Sequence, residues 1–501
     1  MEIKYPARRL QQSLFPAVEL LAGMAIAQAV ALLQVHLSNR ELLAGLEAAA
    51  AAGYLPVPNR NLWPELAALE SAFHGGLFFA LSAGAALALA AAVAGALAAA
   101  YGIRLAPFLL AWAGLMGFLN AEGVSLFPTL YALLVPPAAF ALARRGFREG
   151  GRAAWREALG TRLLPIAVLA LCWFSQYDRG LFTAIRDRLL LSNPVGQAVH
   201  DYYYRWTLYP AEAFKSPAQK QIRTVWLRLG AAGEDGAALA AALAARDVLP
   251  LAGPAGAHFE AEAAAGRLRF RGEGRLLAET TVGFFLERPE AVLEEVFRAA
   301  DRLAPFRRFI FFAVLLGFPT ALYCLAHALI GLPAALLLPA SRRAGRLCAA
   351  ACFALAALAF VFFVALGEEP TPPEPPPAGI SGLPPARQAG LLGALLDRGR
   401  EVTALAGWEA LARSPDPRVR RLLARGLGAS RSPEAPPVLE RLIADPQLAV
   451  RTAAIEALAR RGGPFARRAL LAVLHGSHTW YDQFYAYRAL RSLGWKQTAA
   501  S

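Results

Sequence analysis

Long apolar segments are the feature that most constrains what this chain can fold into. A helix that crosses the hydrocarbon core of a bilayer needs about 20 mostly apolar residues. Residues 13–37, 76–101, 309–338 and 347–366 meet this length, whereas 105–119 and 126–142 are shorter and are joined by a four-residue turn. Only 18% of the residues are charged, below the roughly 25% that is usual for soluble domains. The sequence therefore predicts a mainly α multi-pass membrane protein.

Residues 160–178, GTRLLPIAVLALCWFSQYD, are a marginal span. Their uncharged core would rise only about 22 Å as a helix, against about 30 Å of hydrocarbon. Arg162 can extend its charge to the lipid headgroups, and Trp173 and Tyr177 suit the opposite interface. We therefore count this stretch as a transmembrane helix, which gives about seven in total.

Basic residues indicate how the chain is oriented. With seven spans, the basic residues at 4–9, 104, 144–156 and 342–346 all fall on the cytoplasmic side, as the positive-inside rule requires. This predicts a bacterial-type inner (plasma) membrane protein with a cytoplasmic N-terminus, and with residues 178–305 and 367–501 outside the cytoplasm. If 160–178 does not cross, the C-terminal region is cytoplasmic, and nucleic acid returns as a candidate partner. With the C-terminus outside, no nucleic-acid partner is expected.

The composition changes along the chain in a way that predicts five regions. Residues 178–305 show strands and helices in the order of a small α+β domain, and 367–385 are rich in proline, which favours an extended spacer. We expect this spacer to hold the last domain away from the bilayer. The predicted regions are 1–177 (about five spans), 178–305 (extramembrane α+β domain between spans five and six), 306–366 (two further spans), 367–385 (linker) and 386–501 (repeats).

The last region contains an internal repeat. SPDPRVRRLLARGLG at 414–428 aligns with ADPQLAVRTAAIEALAR at 444–460, so that Val419-Arg420 falls on Val450-Arg451, and DQFYAYRALRSLG at 482–494 continues the series. An apolar helix precedes each copy, and paired helices at a period of about 30 residues indicate an α-solenoid. Here the sequence resembles the HEAT-like repeat family. The resemblance implies a binding function, most often for proteins, and no chemistry of its own.

The repeat register separates buried positions from exposed ones. Arg421, Thr452 and Phe484 are equivalent, and the first two look solvent-facing. Exposed aromatic residues often mark a contact surface. We therefore predict that a partner binds at Tyr481, Phe484, Trp480 and Arg421, with the alternative that Trp480 and Trp495 fold back over this surface as a cap. From Ala386 onward there are 18 Lys and Arg against 9 Asp and Glu, which favours an acidic partner or the bilayer surface.

Catalytic signatures are absent from the sequence. It has no phosphate-binding loop, nucleophile elbow, dinucleotide motif or zinc spacing, so we predict no enzyme, no cofactor and no metal site. Glu19 and His327 are ionisable residues within predicted spans, and such residues are candidates for a functional role. The leading hypothesis is a membrane scaffold or assembly factor that presents extracytoplasmic domains for protein–protein interaction. The alternative is a transporter or channel subunit that uses Glu19 and His327.

Overall fold

A computed structural model describes residues 15–150, 164–172, 174–175, 181–230, 236–337, 342–365 and 380–497. The first helices are α1 (Ala17–Ala51), α2 (Trp63–Ala67), α3 (Leu69–Tyr101), α4 (Ala106–Leu119), α5 (Leu126–Gly150), α6 (Leu181–Ala184, continued by a π turn at Ile185–Leu190), α7 (Pro194–Trp206) and α8 (Leu208–Glu212). The sheet region comprises β1 (Arg223–Leu229), α9 (Gly236–Ala244), β2 (Val248–Leu251), β3 (Phe259–Ala264), β4 (Arg267–Gly272), β5 (Arg275–Thr281), α10 (Val282–Glu287) and α11 (Pro289–Ala299). The later helices are α12 (Ala304–Phe312), α13 (Phe318–Leu337), α14 (Arg342–Ala365), α15 (Pro385–Asp397), α16 (Pro417–Leu427), α17 (Ala435–Leu442), α18 (Leu448–Arg461), α19 (Gly463–Gly476) and α20 (Trp480–Ser492).

Three long apolar helices, α1, α3 and α5, pack together at the centre of the membrane part. Each is long and apolar enough to cross a bilayer, the qualifying part of α5 being Leu126–Gly146. Small residues bring the helices close: a Cβ atom added to Gly95 of α3 would lie 2.7 Å from the carbonyl oxygen of Phe140 in α5. Close backbone approach through glycine and alanine is a usual way for helices to associate in lipid, where no hydrophobic effect drives them together.

The prediction of seven spans is wrong when it is judged by helix length and composition. The described residues supply three candidate spans, or four if the bent pair α12 and α13 crosses as a unit. These two helices replace the single predicted span at 309–338, and they meet at a bend of 41° next to a π turn at Ala313–Gly317. The 14 residues of α4 rise only about 21 Å, which is short of the hydrocarbon thickness.

The predicted span at 347–366 is also too short, since the apolar part of α14 covers only Arg346–Phe362. Part of 160–178 lies outside the described residues, so its crossing stays a prediction; residues 164–172 are helical. The two short apolar segments at 105–119 and 126–142 lie in α4 and α5, which contact each other across a short turn. Trp112 Nε1 of α4 donates to Ala132 O of α5 at 2.6 Å, and Asn120 accepts hydrogen bonds from Ser125 N and Thr129 Oγ1 in the turn.

The sheet region has one five-stranded mixed sheet in the order β2-β1-β3-β4-β5. Strand β1 pairs in parallel with β2 and β3, and β3, β4 and β5 form an antiparallel meander. Both meander turns are two-residue loops with positive φ angles, at Ala265-Gly266 and at Glu273-Gly274. This backbone matches the right-handed twist of the flanking strands. The small mixed sheet with its helices agrees with the predicted α+β class.

The C-terminal helices form the predicted solenoid. The second helices of successive pairs, α16, α18 and α20, pack side by side, and α17 and α19 cover them from one side. Ala424, Ile455 and Tyr487, which the repeat register predicts as core residues, are all buried. Residues 380–497 pack against the end of α1 and the sheet region. Most of the proline-rich linker lies outside the described residues.

The contact at Gly95 generates a test of the helix packing. We expect Gly95→Val to destabilise the folded protein by about 1–3 kcal/mol, because the added methyl groups would meet the backbone of α5. The control is Gly114→Val in α4, where an added Cβ atom would meet nothing within 4 Å. Thermal unfolding of the full chain in detergent measures both variants. Equal midpoints for the two variants would contradict the close packing of α3 on α5.

Candidate interaction site of the solenoid

The solenoid is fixed to the segment that follows α1 through one buried asparagine. The backbone N–H of Asn59 donates to Gln483 Oε1 at 2.7 Å, and Asn59 Nδ2 donates to Leu474 O and His475 O at 3.0 and 2.9 Å. The Asn59 side-chain oxygen accepts from Asn61 N, which begins a 3₁₀ turn. Asn59 and Gln483 are both buried, so their hydrogen bonds to the protein take the place of hydrogen bonds to water.

A second amide extends this contact. Gln497 accepts from the N–H of Leu55 and donates to the C=O of Leu55, both at 2.9 Å, which reproduces the pairing of two strands with one side chain. Tyr54 and Val57 are buried in the same apolar core as Leu490 of α20. The C-terminal end of the solenoid therefore shares both hydrogen bonds and a core with the end of α1.

The sheet contributes a third anchor at Asp247, which lies between α9 and β2. Its carboxylate accepts from Tyr487 Oη at 2.5 Å and pairs with Arg491 Nε at 3.2 Å. Arg491 also donates to Ala245 O at 2.7 Å. Burial raises the pKa of Asp247, and the tyrosine and arginine partially offset this effect. The φ angle of Asp247 is +59°, so the left-handed backbone turns this side chain toward the solenoid.

The aromatic residues predicted to bind a partner instead contact other parts of this chain. Trp480 is buried and meets Tyr209 edge to face, and Tyr481 meets Tyr204, with ring centroids 5.0 and 5.2 Å apart. The carbonyl oxygen of Phe484 accepts from Gln221 Nε2 at 3.0 Å. The alternative of a cap formed by Trp480 and Trp495 is not observed, since Trp495 packs on Tyr487. The aromatic segment 202–209 is thus the surface on which α20 rests.

Arg421 was predicted to face solvent, and this is wrong. Its residue is 6% exposed, and its guanidinium donates to Asp187 Oδ2 at 2.6 Å in the π turn after α6. Burial lowers the pKa of Arg421 to about 10 despite the carboxylate beside it. At neutral pH it therefore remains a cation. The nearby Gln447 donates to Asp201 at 2.5 Å, so the first repeats are tied to the segment 181–206.

The paired Val-Arg motifs brace one repeat against the next. Arg420 binds Asp445 with two hydrogen bonds of 2.6 and 2.9 Å, and Arg451 binds Asp482 at 2.9 and 3.1 Å. In the third repeat Asp482-Gln483 stands where Val-Arg would stand, so Gln483 occupies the position of the arginine. The carboxylate of Asp482 accepts the last hydrogen bonds of this series.

The opposite side of the solenoid is open. Arg441 of α17 and Arg467 and Arg468 of α19 are exposed, and none forms an ion pair within the described residues. Glu434 and Glu440 are exposed on the same side. Because α20 and the second helices are covered, this side, which we call the outer face, is where the solenoid can meet another molecule.

The two ionisable residues of the predicted spans, Glu19 and His327, lie apart from this interface. Glu19 and His327 are buried among the apolar helices, 4% and 8% exposed, so Glu19 is not the solvated carboxylate that its place near the start of a span suggested. His475 and His478 are exposed, and the described residues contain no group of three or more His, Cys, Asp or Glu side chains that could hold a metal ion.

Sequence reasoning missed Asn59, Asp247, Gln483 and Gln497. The paired residues are separated by 240 to 442 positions, so no local spacing joins them. The one usable signal was a mismatch: Tyr481 and Phe484 place apolar side chains where earlier repeats have polar ones. This signal identifies a contact surface correctly but does not say whether the partner is the same chain.

Comparison with known proteins agrees with the repeat assignment. Residues 405–491 match the family of HEAT repeats. No curated protein and no solved structure matches the chain.

The Asn59 contact can be tested by mutation. We expect Asn59→Ala to lower the free energy of opening of the C-terminal end of α19 by about 1–3 kcal/mol, because it leaves the carbonyl oxygens of Leu474 and His475 without their side-chain donor. The backbone N–H that donates to Gln483 of α20 is retained. Hydrogen–deuterium exchange should therefore speed up in 470–479, with α17 unchanged. Asn61→Ala is the matched control, since Asn61 is exposed and its side chain makes only a 3.5 Å contact with the solenoid. Equal exchange in both variants would contradict this anchor.

Proposed function

We propose that this protein is a membrane-anchored scaffold or assembly factor whose HEAT repeats bind a protein partner on the outer side of the plasma membrane. The observation that carries the proposal is the fixed attachment of the repeats. Asn59, Gln497 and Asp247 hold one side of the solenoid against the chain itself, and the other side stays open. A repeat array with one face occupied and one face free is suited to holding a partner in a set orientation near the membrane.

Two features support placing the sheet and the solenoid outside the cytoplasm. Phe15, just before α1, shares a small core with Ala100 of α3 and Ala143 of α5. The basic residues Arg104, Arg144 and Arg145 follow directly, so they gather at the same end of the bundle as the start of α1. By the positive-inside rule this end is cytoplasmic. The sheet and the solenoid contact the opposite end of α1.

Reporter fusions test this orientation. We expect alkaline phosphatase fused after Ser501 to be active, and a fluorescent protein at the same place to be dark, because the solenoid lies at the end of α1 away from the basic residues. The control is the same pair of reporters fused after Arg145, which should give the reverse result. Fluorescence after Ser501 would place the solenoid in the cytoplasm and contradict an extracytoplasmic partner.

The outer face favours an acidic partner. Arg441, Arg467 and Arg468 lie on the adjacent helices α17 and α19 and have no ion pairs within the described residues. A surface of unpaired cations attracts acidic surfaces and raises their rate of association, more than it adds to affinity. We therefore expect binding that weakens as the salt concentration rises.

Crosslinking in cells tests the partner face. A photoreactive amino acid at Ala472, which is exposed on α19, should give one defined protein adduct. Arg467→Glu together with Arg468→Glu should reduce the adduct about ten-fold, because charge reversal repels an acidic surface. The matched control is Arg298→Glu on the sheet region, where the side chain is 76% exposed and pairs only with Glu294 within the described residues. An adduct that is absent, or is unchanged by the reversal at 467 and 468, would contradict the proposal.

A further inference from the structure

A cleft of about 420 Å³ lies between the membrane helices and the sheet. Its two walls differ in chemistry. Leu37 of α1 and Val124, Leu126 and Phe127 at the start of α5 form an apolar wall. Lys215, Lys220, Arg223, Arg275, Arg302 and His258 stand among the residues of the other wall. This volume is within the range of small-molecule sites, which are about 300–1,000 Å³.

Arg223, the first residue of β1, is the central feature of the polar wall. The residue is 8% exposed, and its Nε atom has no hydrogen-bond partner within the described structure. The guanidinium lies over the ring of Phe297, with Cζ 4.8 Å from the ring centroid, so its plane is fixed. A buried arginine with an unused donor is costly unless an anion completes its environment.

His258, just before β3, adds a second unused donor. Its Nδ1 lies 3.2 Å from the backbone N of Thr224 and 2.6 Å from Thr224 Oγ1. In the tautomer in which Nδ1 accepts from the backbone N–H, the proton of the neutral ring is on Nε2. The Nε2 atom is buried and has no partner within the described residues. Burial lowers the pKa of His258 to about 3, and nearby Lys220 acts in the same direction. The ring is therefore a neutral N–H donor at physiological pH.

The carboxylates of the cleft do not neutralise this wall. Glu212 is shared by Lys215 and Lys220, at 3.1 and 3.7 Å, which leaves one positive charge in excess. Glu273 is paired with Arg302 at 2.6 Å, and Asp301 is paired with Arg307. Arg223 and Arg275 have no ion pair in the described part of the chain, although the carboxylate of Asp247 attracts Arg223 at longer range. Glu41 at the rim supplies one further opposing charge. The wall therefore keeps a net positive charge for a bound anion.

The apolar wall shows from which side the ligand enters. Leu126 is the first residue of a candidate span, and it is 61% exposed, while Val124 beside it is 78% exposed. Apolar residues this accessible at the start of a span belong against lipid. The cleft thus opens where acyl chains give way to headgroups, with cationic donors on the headgroup side.

We propose that this cleft binds the phosphate group of an anionic membrane lipid, with Arg223 and His258 as donors to the phosphate and Leu126 against the acyl chains. Arginine suits this role because its planar guanidinium binds phosphate oxygens in pairs. Lys220 adds long-range attraction. The site is independent of the outer face of the solenoid, so the failure of either proposal leaves the other standing.

Binding of phosphatidylglycerol with a fluorescent acyl chain to the full chain, in a neutral detergent, tests the site by fluorescence anisotropy. We expect Arg223→Met to weaken binding about ten-fold or more, the loss typical for a hydrogen bond to a charged group. Lys220→Gln should weaken binding less, because it removes only long-range attraction. Arg468→Gln, on the outer face of the solenoid, is the control and should bind as the unaltered protein does. Thermal unfolding shows whether each variant folds. Arg275→Gln removes a cation of the same wall at an exposed position, so this variant tests the wall without disturbing the fold.

Competition separates a lipid from a soluble phosphate. Unlabelled phosphatidylglycerol should compete at least ten-fold better than glycerol 3-phosphate or inorganic phosphate, and Leu126→Asn should remove this advantage. If folded Arg223→Met, Lys220→Gln and Arg275→Gln all bind as the unaltered protein does, the site is overturned. If inorganic phosphate competes as well as the lipid, the lipid assignment is overturned and the cleft is a site for soluble phosphate.

Discussion

The length of α1 is the constraint on which the rest of the structure depends. Its 35 residues rise about 52 Å, whereas the hydrocarbon core of a bilayer is about 30 Å thick. The remaining length of α1 forms a helical segment that extends beyond the bilayer. Gly45 in this segment lies against His258 and Gly256 of the sheet region. Leu55 and Asn59, which follow α1, bind the solenoid. One helix therefore sets the position of both extramembrane parts, and the interface does not rely on the proline-rich linker.

Within the solenoid, neighbouring repeats contact each other as in other repeat arrays. Its surface differs, because other parts of the same chain cover it. Arg420 and Arg451 join neighbouring repeats to the carboxylates that follow, as nearest-neighbour coupling requires. HEAT-type arrays need a polar or covered end because a bare repeat exposes its core. Here the sheet and the aromatic segment 202–209 cover the second helices, and Gln497 covers the C-terminal end. The chain supplies its own cover, which explains why aromatic residues replace polar ones in the last repeat.

Sequence reasoning reached the elements whose information is local. The hydropathy of α1, α3 and α5, the hairpin of α4 and α5, the α+β region and the repeats all follow from periodicity and composition within one segment. The predicted number of spans was wrong because hydropathy does not report helix geometry. The apolar segment 309–338 contains a π turn and a 41° bend, and an average over its hydropathy reveals neither. Arg421 failed for another reason. Its register is that of an exposed position, but Asp187, 234 residues away, covers it.

The candidate lipid site shows the same division between local and distant information. His258 beside a strand and the lysines after α8 are visible in the sequence, yet only folding brings them to Arg223 and the start of α5. The position of Arg223 also connects the cleft to the solenoid. The N–H of Arg223 donates to the C=O of Asp247 at 2.9 Å, and the carboxylate of Asp247 accepts from Tyr487. The donor expected to bind the headgroup and the acceptor that anchors α20 thus belong to two residues joined by one backbone hydrogen bond.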